Sequence, residues 1–196
     1  VDFLHTPDDY YQKAINVSFI RIIRLLAFIV SIFTPALYIA LTTHNQEALP
    51  LPFLLNFMAQ RESVPFSALT EALFMSISFE ILRESDIRKQ SSTGSAVSIL
   101  GGLILGDAAV SAGIISPIMI IVISISAISG LAFSSQEMIA SLRWLRFLMM
   151  FLAMFFGIFG IYIGFLFLLS SLVTTKALDY PYFAPFSPLV KEELGD

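Results

Sequence analysis

The run Gly94–Pro117, GSAVSILGGLILGDAAVSAGIISP, is long enough to cross a bilayer and carries a single charge, Asp107. It is rich in Gly, Ala and Ser where an ordinary core helix carries Leu and Phe. At about 100° per residue, Gly94, Ser95, Ser98, Gly101, Gly102, Ala109, Ala112 and Gly113 gather on one side of a helix. Leu100, Leu103, Ile104, Val110 and Ile114 gather on the other, with Asp107 among them. Small residues let helix backbones approach closely where lipid removes the hydrophobic drive for association. An acidic side chain at such depth is costly and marks a functional site by default.

A chain that is 57% apolar and 13% charged, against about 25% charged in soluble domains, has too little polar surface to face water. The fold class that follows is all-α: a polytopic helical membrane protein of four to five spans, including a small-residue helical hairpin. Three regions are expected: a polar juxtamembrane approach over 1–17, a helical membrane domain over 18–173, and a Pro- and aromatic-rich surface tail over 174–196. The chain has no cysteine, which excludes disulfides, thiolate metal sites and cysteine nucleophiles. It starts on Val1 and a polar segment, and the expectation is that something upstream has been cut away.

The first span is expected over Phe19–Thr42, with Arg21 and Arg24 snorkelling at its cytoplasmic start. Pro35 removes one helix hydrogen bond, which neighbouring helices or Ser31 must replace. The loop 43–64 holds Pro50 and Pro52 and an apolar run suited to the interface. His44 stands alone in it and is a poor metal ligand. Pro65–Leu82 reads as a short span that begins at Pro65 and contains Glu71 and Glu80. Nine residues apart, these two acids lie on opposite faces of a helix. Glu80 has Arg83 at i+3, an ordinary helical ion pair; Glu71 has no local partner and needs another helix or water. The segments 94–112 and 117–133 are joined by so short a turn that they form an antiparallel hairpin. Phe147–Val173 reads as the last and most uniform span.

Charge sets the orientation. If Pro65–Leu82 crosses, Lys13, Arg21, Arg24, Arg83, Arg88, Lys89, Arg143 and Arg146 lie inside, with Arg61, Lys176 and Lys191 outside. That bias is what the positive-inside rule wants; if the segment does not cross, the bias vanishes.

Several chemistries are missing. GGLILG lies inside an apolar span with no Lys after it and is no phosphate loop. The two His residues lack metal spacing, and no Ser sits in a nucleophile elbow with triad partners. No cofactor, metal or catalytic residue is expected. The acidic balance and the lack of a basic patch argue against nucleic acid. The residues singled out are Ser95, Ser98, Gly101, Gly102, Ala109 and Gly113 as a small-residue stripe for helix packing. Glu71, Glu80 and Asp107 are the intramembrane acids.

SFIRIIRLLA (18–27), PALYIALTT (35–43), VPFSALTEALFM (64–75), SFEILRESDIR (78–88), AVSILGGLILGDAAVSAGIISP (96–117) and LRWLRF (142–147) occur in that order. Together they make the chain resemble the membrane region of the A subunit of GerA-type spore germination receptors, from about Asp8 to Leu189. The resemblance implies a nutrient receptor of the spore inner membrane in endospore-forming bacteria. Its partners would be a transporter-like B subunit that takes the germinant, a lipoprotein C subunit, and further copies of the chain in a homo-oligomer. It implies an A subunit that conducts ions, with helix 94–113 and its small-residue stripe lining or packing a pore and Val97 and Ile104 as candidates for an apolar gate; family members carry a soluble domain ahead of this region. The family pattern often has Gln at position 107, Glu at 76 and a Pro soon after Arg88, none of which this chain has.

Three functions are compatible with these residues. A channel subunit predicts a ring-like oligomer whose conductance responds to bulk on helix 94–113. A secondary transporter is suggested by Pro/Gly-interrupted spans and buried acids, although the two halves show no repeat. A membrane scaffold predicts neither conductance nor uptake.

Overall fold

The structure, a computed structural model, describes the backbone of residues 14–88, 92–133, 136–174, 176–177 and 180–181. Side-chain surroundings are described for 16–84, 101–102, 104–133 and 137–174. The elements are helical: α1 Ala14–Thr43, a 3₁₀ turn Gln46–Ala48, α2 Leu51–Arg61, α3 Ala68–Arg88, α4 Ser92–Ser111, α5 Pro117–Gly130 and α6 Gln136–Thr174. Two residues each of Lys176–Ala177 and Tyr180–Pro181 pair antiparallel after α6. Of these helices, α1 and α6 are long and apolar enough to cross a membrane by length and composition.

α1 runs through Pro35 without a break. From Leu25 to Thr43 it covers about 29 Å at 1.5 Å per residue, close to the roughly 30 Å hydrocarbon core, with Arg24 and Arg21 just before that stretch. Its second half is the centre of the core: Ser31, Ile32, Pro35, Ala36, Ile39 and Ala40 are fully buried. Against it pack α5 and α6, with Phe28 edge-on to Phe133 and Phe33 edge-on to Phe165. The small residues at 36 and 40 are what let neighbouring helices come close.

Two expectations about element starts need adjusting. α3 begins at Ala68 rather than Pro65, because the Ser67 hydroxyl accepts from Thr70 N at 3.3 Å and ends the preceding turn there. The apolar part of the 43–64 loop is itself a helix, α2, started by Pro52 in its first turn and with no buried residue. Leu51, Phe53, Leu55 and Met58 are exposed on it.

A larger correction concerns the run read as one last span, Phe147–Val173. Thirty-nine residues of straight helix would be about 58 Å long, nearly twice the hydrocarbon core. α6 solves this by breaking at Gly157, whose φ of 61° and ψ of −142° lie outside the helical region and in a zone open to glycine almost alone. Beyond the break the chain folds back. Gly160 abuts the Leu152 carbonyl, and a Cβ on Gly164 would lie 2.5 Å from Met149 Sδ. Residues eight and fifteen apart would be about 12 and 22 Å apart along a straight helix. The limbs 136–156 and 158–174 are thus an antiparallel pair, and the small residues at 160 and 164 admit the close approach. The new helix start is capped from elsewhere: Asn45 Oδ1, after α1, accepts from Ile158 N at 3.0 Å.

These contacts fix the directions. The Ala14 end of α1, the C-terminal ends of α3 and α5, the start of α6 and its end at Thr174 lie at one end. Thr43, α2, the starts of α3 and α5 and the Gly157 turn lie at the other.

The expected 94–112/117–133 hairpin has its short connection, where Gly113 takes φ of 66°. Its two legs, however, lean on different partners. α4 packs chiefly on α3, while α5 packs chiefly on α1 and also on α3, and a groove opens between the legs. The regions 1–13 and 182–196, parts of the polar approach and of the tail, lie outside the described residues.

Candidate functional site

Proline at 35 has no N–H, so the carbonyl four residues earlier, Ser31, has no helical donor. In hydrocarbon such a group must be satisfied from elsewhere. Ser31 O accepts from Arg146 Nε at 3.1 Å and from the Ser126 hydroxyl at 2.5 Å, while Arg146 Nη2 donates to Ser31 Oγ at 2.9 Å. Arg146 is 4% exposed and Ser31 and Ser126 are fully buried. One missing hydrogen bond in α1 therefore ties α1, α5 and α6 together. The positive-inside count used Arg146 only as an interfacial charge; its role here went unread, although Pro35 announced a carbonyl in need of a donor.

Glu80 stands beside this crossing. Its carboxylate is 2.9 Å from Arg143 Nη2 and 3.9 Å from Arg83 Nη1. The expected Glu80–Arg83 pair exists, but the shorter contact comes from α6. Arg143 and Arg83 thus share one carboxylate, and the Arg146 guanidinium lies beside that of Arg83. Arg83 Nη2 and Arg146 Nη2 lie 3.7 and 3.5 Å from the position that a Cβ on Gly130 would occupy.

Glu71 is 1% exposed and sits at the opposite end. One oxygen accepts from Ser116 N at 2.8 Å and from Ser116 Oγ at 2.9 Å; the other is 3.4 Å from Arg61 Nη2. The buried acid is placed in the first turn of its own helix, α3, and caps the start of α5, so two helix N-termini and one guanidinium offset its desolvation. Tyr38 packs beside this cluster, its buried hydroxyl facing Ser116. Glu71 does take its partners from other helices, as its lack of a local one required. Ser76, one turn further along α3, is buried with its hydroxyl unpartnered among the described residues.

Between α3, α4 and α5 runs a groove of about 900 Å³. Phe79, Leu82, Ile120, Ile121 and Ile128 make its apolar walls; Glu80, Arg83 and Arg146 close one end, and Asp107 stands on its rim. Gly101 and Gly102 face α3, where Cβ atoms would meet Leu82 at 3.4 and 3.6 Å. Gly106 faces Ile120 across the groove, and Ala109 is buried. Gly113 is in the turn near Ser63.

The other face of α4 is open. Ile104, Asp107, Ala108 and Ser111, spaced as one helical stripe, are all exposed, Ile104 at 59%. Asp107 has no hydrogen-bond or ion-pair partner among the described residues. The structure therefore puts the three acids in three different settings: Glu71 latched, Glu80 in an arginine cluster, Asp107 open. Ser95, Val97 and Ser98 belong to α4 by backbone, but their side chains lie outside the described residues. No group of three or more His, Asp or Glu side chains that could hold a metal occurs among the described residues.

The family described as Bacillus/Clostridium GerA spore germination protein matches residues 1–196. The chain is 39% identical to "Spore germination protein KA" of Bacillus subtilis (strain 168) over its full length, which is 36% of that protein. It is 35% identical to "Spore germination protein A1" of the same organism over 93% of the chain and 38% of the relative. Against "Spore germination protein GerQA" of Bacillus cereus the figures are 37%, 96% and 38%. The chain thus spans little more than a third of the relatives it matches. No solved structure matches it.

Proposed function

This chain belongs to the Bacillus/Clostridium GerA spore germination protein family, and from that premise we propose that it is the membrane portion of an A-type germinant-receptor subunit that oligomerises and conducts ions. Its site would be the spore inner membrane, and its partners a transporter-like B subunit and a lipoprotein C subunit. Germinant bound to the B subunit would drive the gate.

The observation that carries the conducting role is the open face of α4. An unpartnered carboxylate on an apolar helix does not face lipid; it faces water or another chain. Ala108 and Ser111 beside Asp107 are small enough for a second helix to approach. Copies of α4 set round an axis would place a ring of Asp107 carboxylates about one turn inside the Ser111 end, where it attracts cations. Ile104, one turn deeper, lies on the same stripe, and Val97 follows two turns further by helical spacing. An apolar ring there would gate by dewetting. Gly101 and Gly102 then serve packing on α3, and Ser95 and Ser98 belong by spacing to that same side.

The rest of the chain suits a rigid support for α4. Arg146 ties α1, α5 and α6 together and Glu71 ties α3 to α5 and α2, whereas α4 rests mainly on α3 with a groove behind it. Six helical limbs in alternating directions, counting both limbs of α6, would return the chain to its starting side. Arg21, Arg24, Arg83, Arg88, Arg143, Arg146 and Lys176 then share one half of the protein, and Arg61 belongs to the other. This bias supports a cytoplasmic Ala14 end.

These 196 residues have no cysteine, so once any cysteine elsewhere in the full-length protein is replaced by serine, oligomerisation has a direct test. Ile104→Cys in the full-length protein, held in membranes, should form disulfide-linked dimers under mild oxidation. Cysteine at Phe159, exposed on the second limb of α6, should form far fewer. Equal cross-linking at both positions would argue against α4 as the contact between copies.

A further inference from the structure

We propose that the groove between α3, α4 and α5 holds an anionic phospholipid of the surrounding membrane, its headgroup on Arg83 and Arg146 and one acyl chain along α5. The inference goes beyond ion conduction and requires only that the helices lie in a bilayer.

The headgroup end is defined by charge. Arg83 and Arg146 both border the space over Gly130, which places their Nη2 atoms at most about 7 Å apart. Among the described residues the carboxylate in contact with this cluster is Glu80, 2.9 Å from Arg143 and 3.9 Å from Arg83. Arg146 spends Nε and Nη2 on Ser31 and is 4% exposed, yet still lines the groove. Three guanidinium groups against one carboxylate, largely out of water, leave a local excess of positive charge that repels itself unless an anion is present. Phosphate oxygens suit a guanidinium fork.

The rest of the groove is apolar, with a long wall formed by α5. Fourteen residues of α5 give about 21 Å, enough for an acyl chain that reaches the bilayer midplane, about 15 Å from the headgroup level. Asp107, on the rim nearer the Pro117 end, keeps an anionic headgroup from entering there. The cationic end is also the end where the helix-flanking arginines collect, and basic pockets between helices on that side of membranes take anionic headgroups. A second copy of the chain or another subunit would bring apolar side chains to the walls but has no reason to bring an anion to the arginines.

The test is lipid retention and thermal stability of the full-length protein in nanodiscs. Phosphatidylglycerol is titrated against phosphatidylcholine, and native mass spectrometry counts the lipids that stay bound. We expect one saturable phosphatidylglycerol per chain, retained over phosphatidylcholine, and a Tm that rises with it. Arg83→Gln should weaken retention about tenfold, as the loss of a charge-assisted contact does. Ser124→Phe, which fills the groove from α5 without touching an arginine, should weaken it to a similar extent. Arg61→Gln, at the far end, should retain the lipid as before. Retention that ignores headgroup charge, or that survives both Arg83→Gln and Ser124→Phe, would overturn the proposal. So would a Ser124→Phe variant that changes the number of chains in the assembly while keeping its lipid, since the occupant would then be protein.

Discussion

Arg146 Nε donates to the Ser31 carbonyl at 3.1 Å, and that carbonyl is free to accept because residue 35 is proline. The two residues are 115 apart in the chain, and the bond between them stands in for one that α1 cannot make internally. The first prediction uses this substitution of one donor for another. Arg146→Met should lower stability by about 1–3 kcal/mol, the cost of a buried group left short of a partner. Adding Pro35→Ala should recover part of that loss, because the backbone N–H restored at position 35 then donates to Ser31 O. Thermal unfolding of the single and double variants measures the coupling, and a strictly additive loss would contradict the account.

Glu71 has a different role. Its neutral isostere, Glu71→Gln, keeps an oxygen for Ser116 N and loses the Arg61 contact, so a cost of about 1 kcal/mol is expected. Glu71→Leu strands both Arg61 and the start of α5 and should cost about 3–5 kcal/mol. Denaturant or thermal unfolding in detergent orders the two; equal losses would show that the carboxylate is not the latch described here.

The turn at Gly157 makes a topological prediction. Gly157→Ala brings a Cβ to 2.5 Å from Asn45 Oδ1 in a region of φ and ψ that L-residues avoid, at a cost of about 1–3 kcal/mol for the backbone alone. Asn45→Ala loses only the cap on Ile158 N, about 1 kcal/mol. Single cysteines at Thr174 and Leu131 should be labelled from one side of the membrane and at Ser63 from the other. Labelling of Thr174 from the Ser63 side would undo the fold-back.

Much of this architecture is legible in the residues. Apolar runs mark the helices, Pro35 marks a carbonyl needing a donor, and the lack of a local partner marks Glu71 for a contact across helices. What periodicity cannot carry is the identity of the distant partner. Nothing near Arg146 or Ser116 signals Ser31 or Glu71, because those contacts exist only after helices far apart in sequence pack. Gly157 was hidden for another reason. In a run that also holds Gly160 and Gly164 it looks like one more small packing residue, and only the excess length of the run hints at a break. The small residues of α4 stand out in the sequence, but whether they pack or line a pore does not; which side of α4 remains open depends on where α3 sits.

The open face of α4 predicts an asymmetry in function. Gly102→Leu drives bulk into Leu82 and Phe79 and should disturb assembly, whereas Leu100→Phe, on the Ile104–Asp107 stripe by helical spacing, should lower conduction while the assembly stays intact. Asp107→Asn keeps a polar group at the rim and should be tolerated, whereas Asp107→Lys should reverse the charge preference of any ion flux. Germination assays of spores that carry each variant give the ranking.

The most direct test of the central claim is ion flux from proteoliposomes that contain the full-length protein with its B and C partners and germinant. The account predicts germinant-dependent flux that Asp107→Lys lowers for cations and that Ile104→Asp, which wets the apolar ring, makes independent of germinant. Flux indifferent to both substitutions, with the assembly intact, would contradict a conducting role for α4.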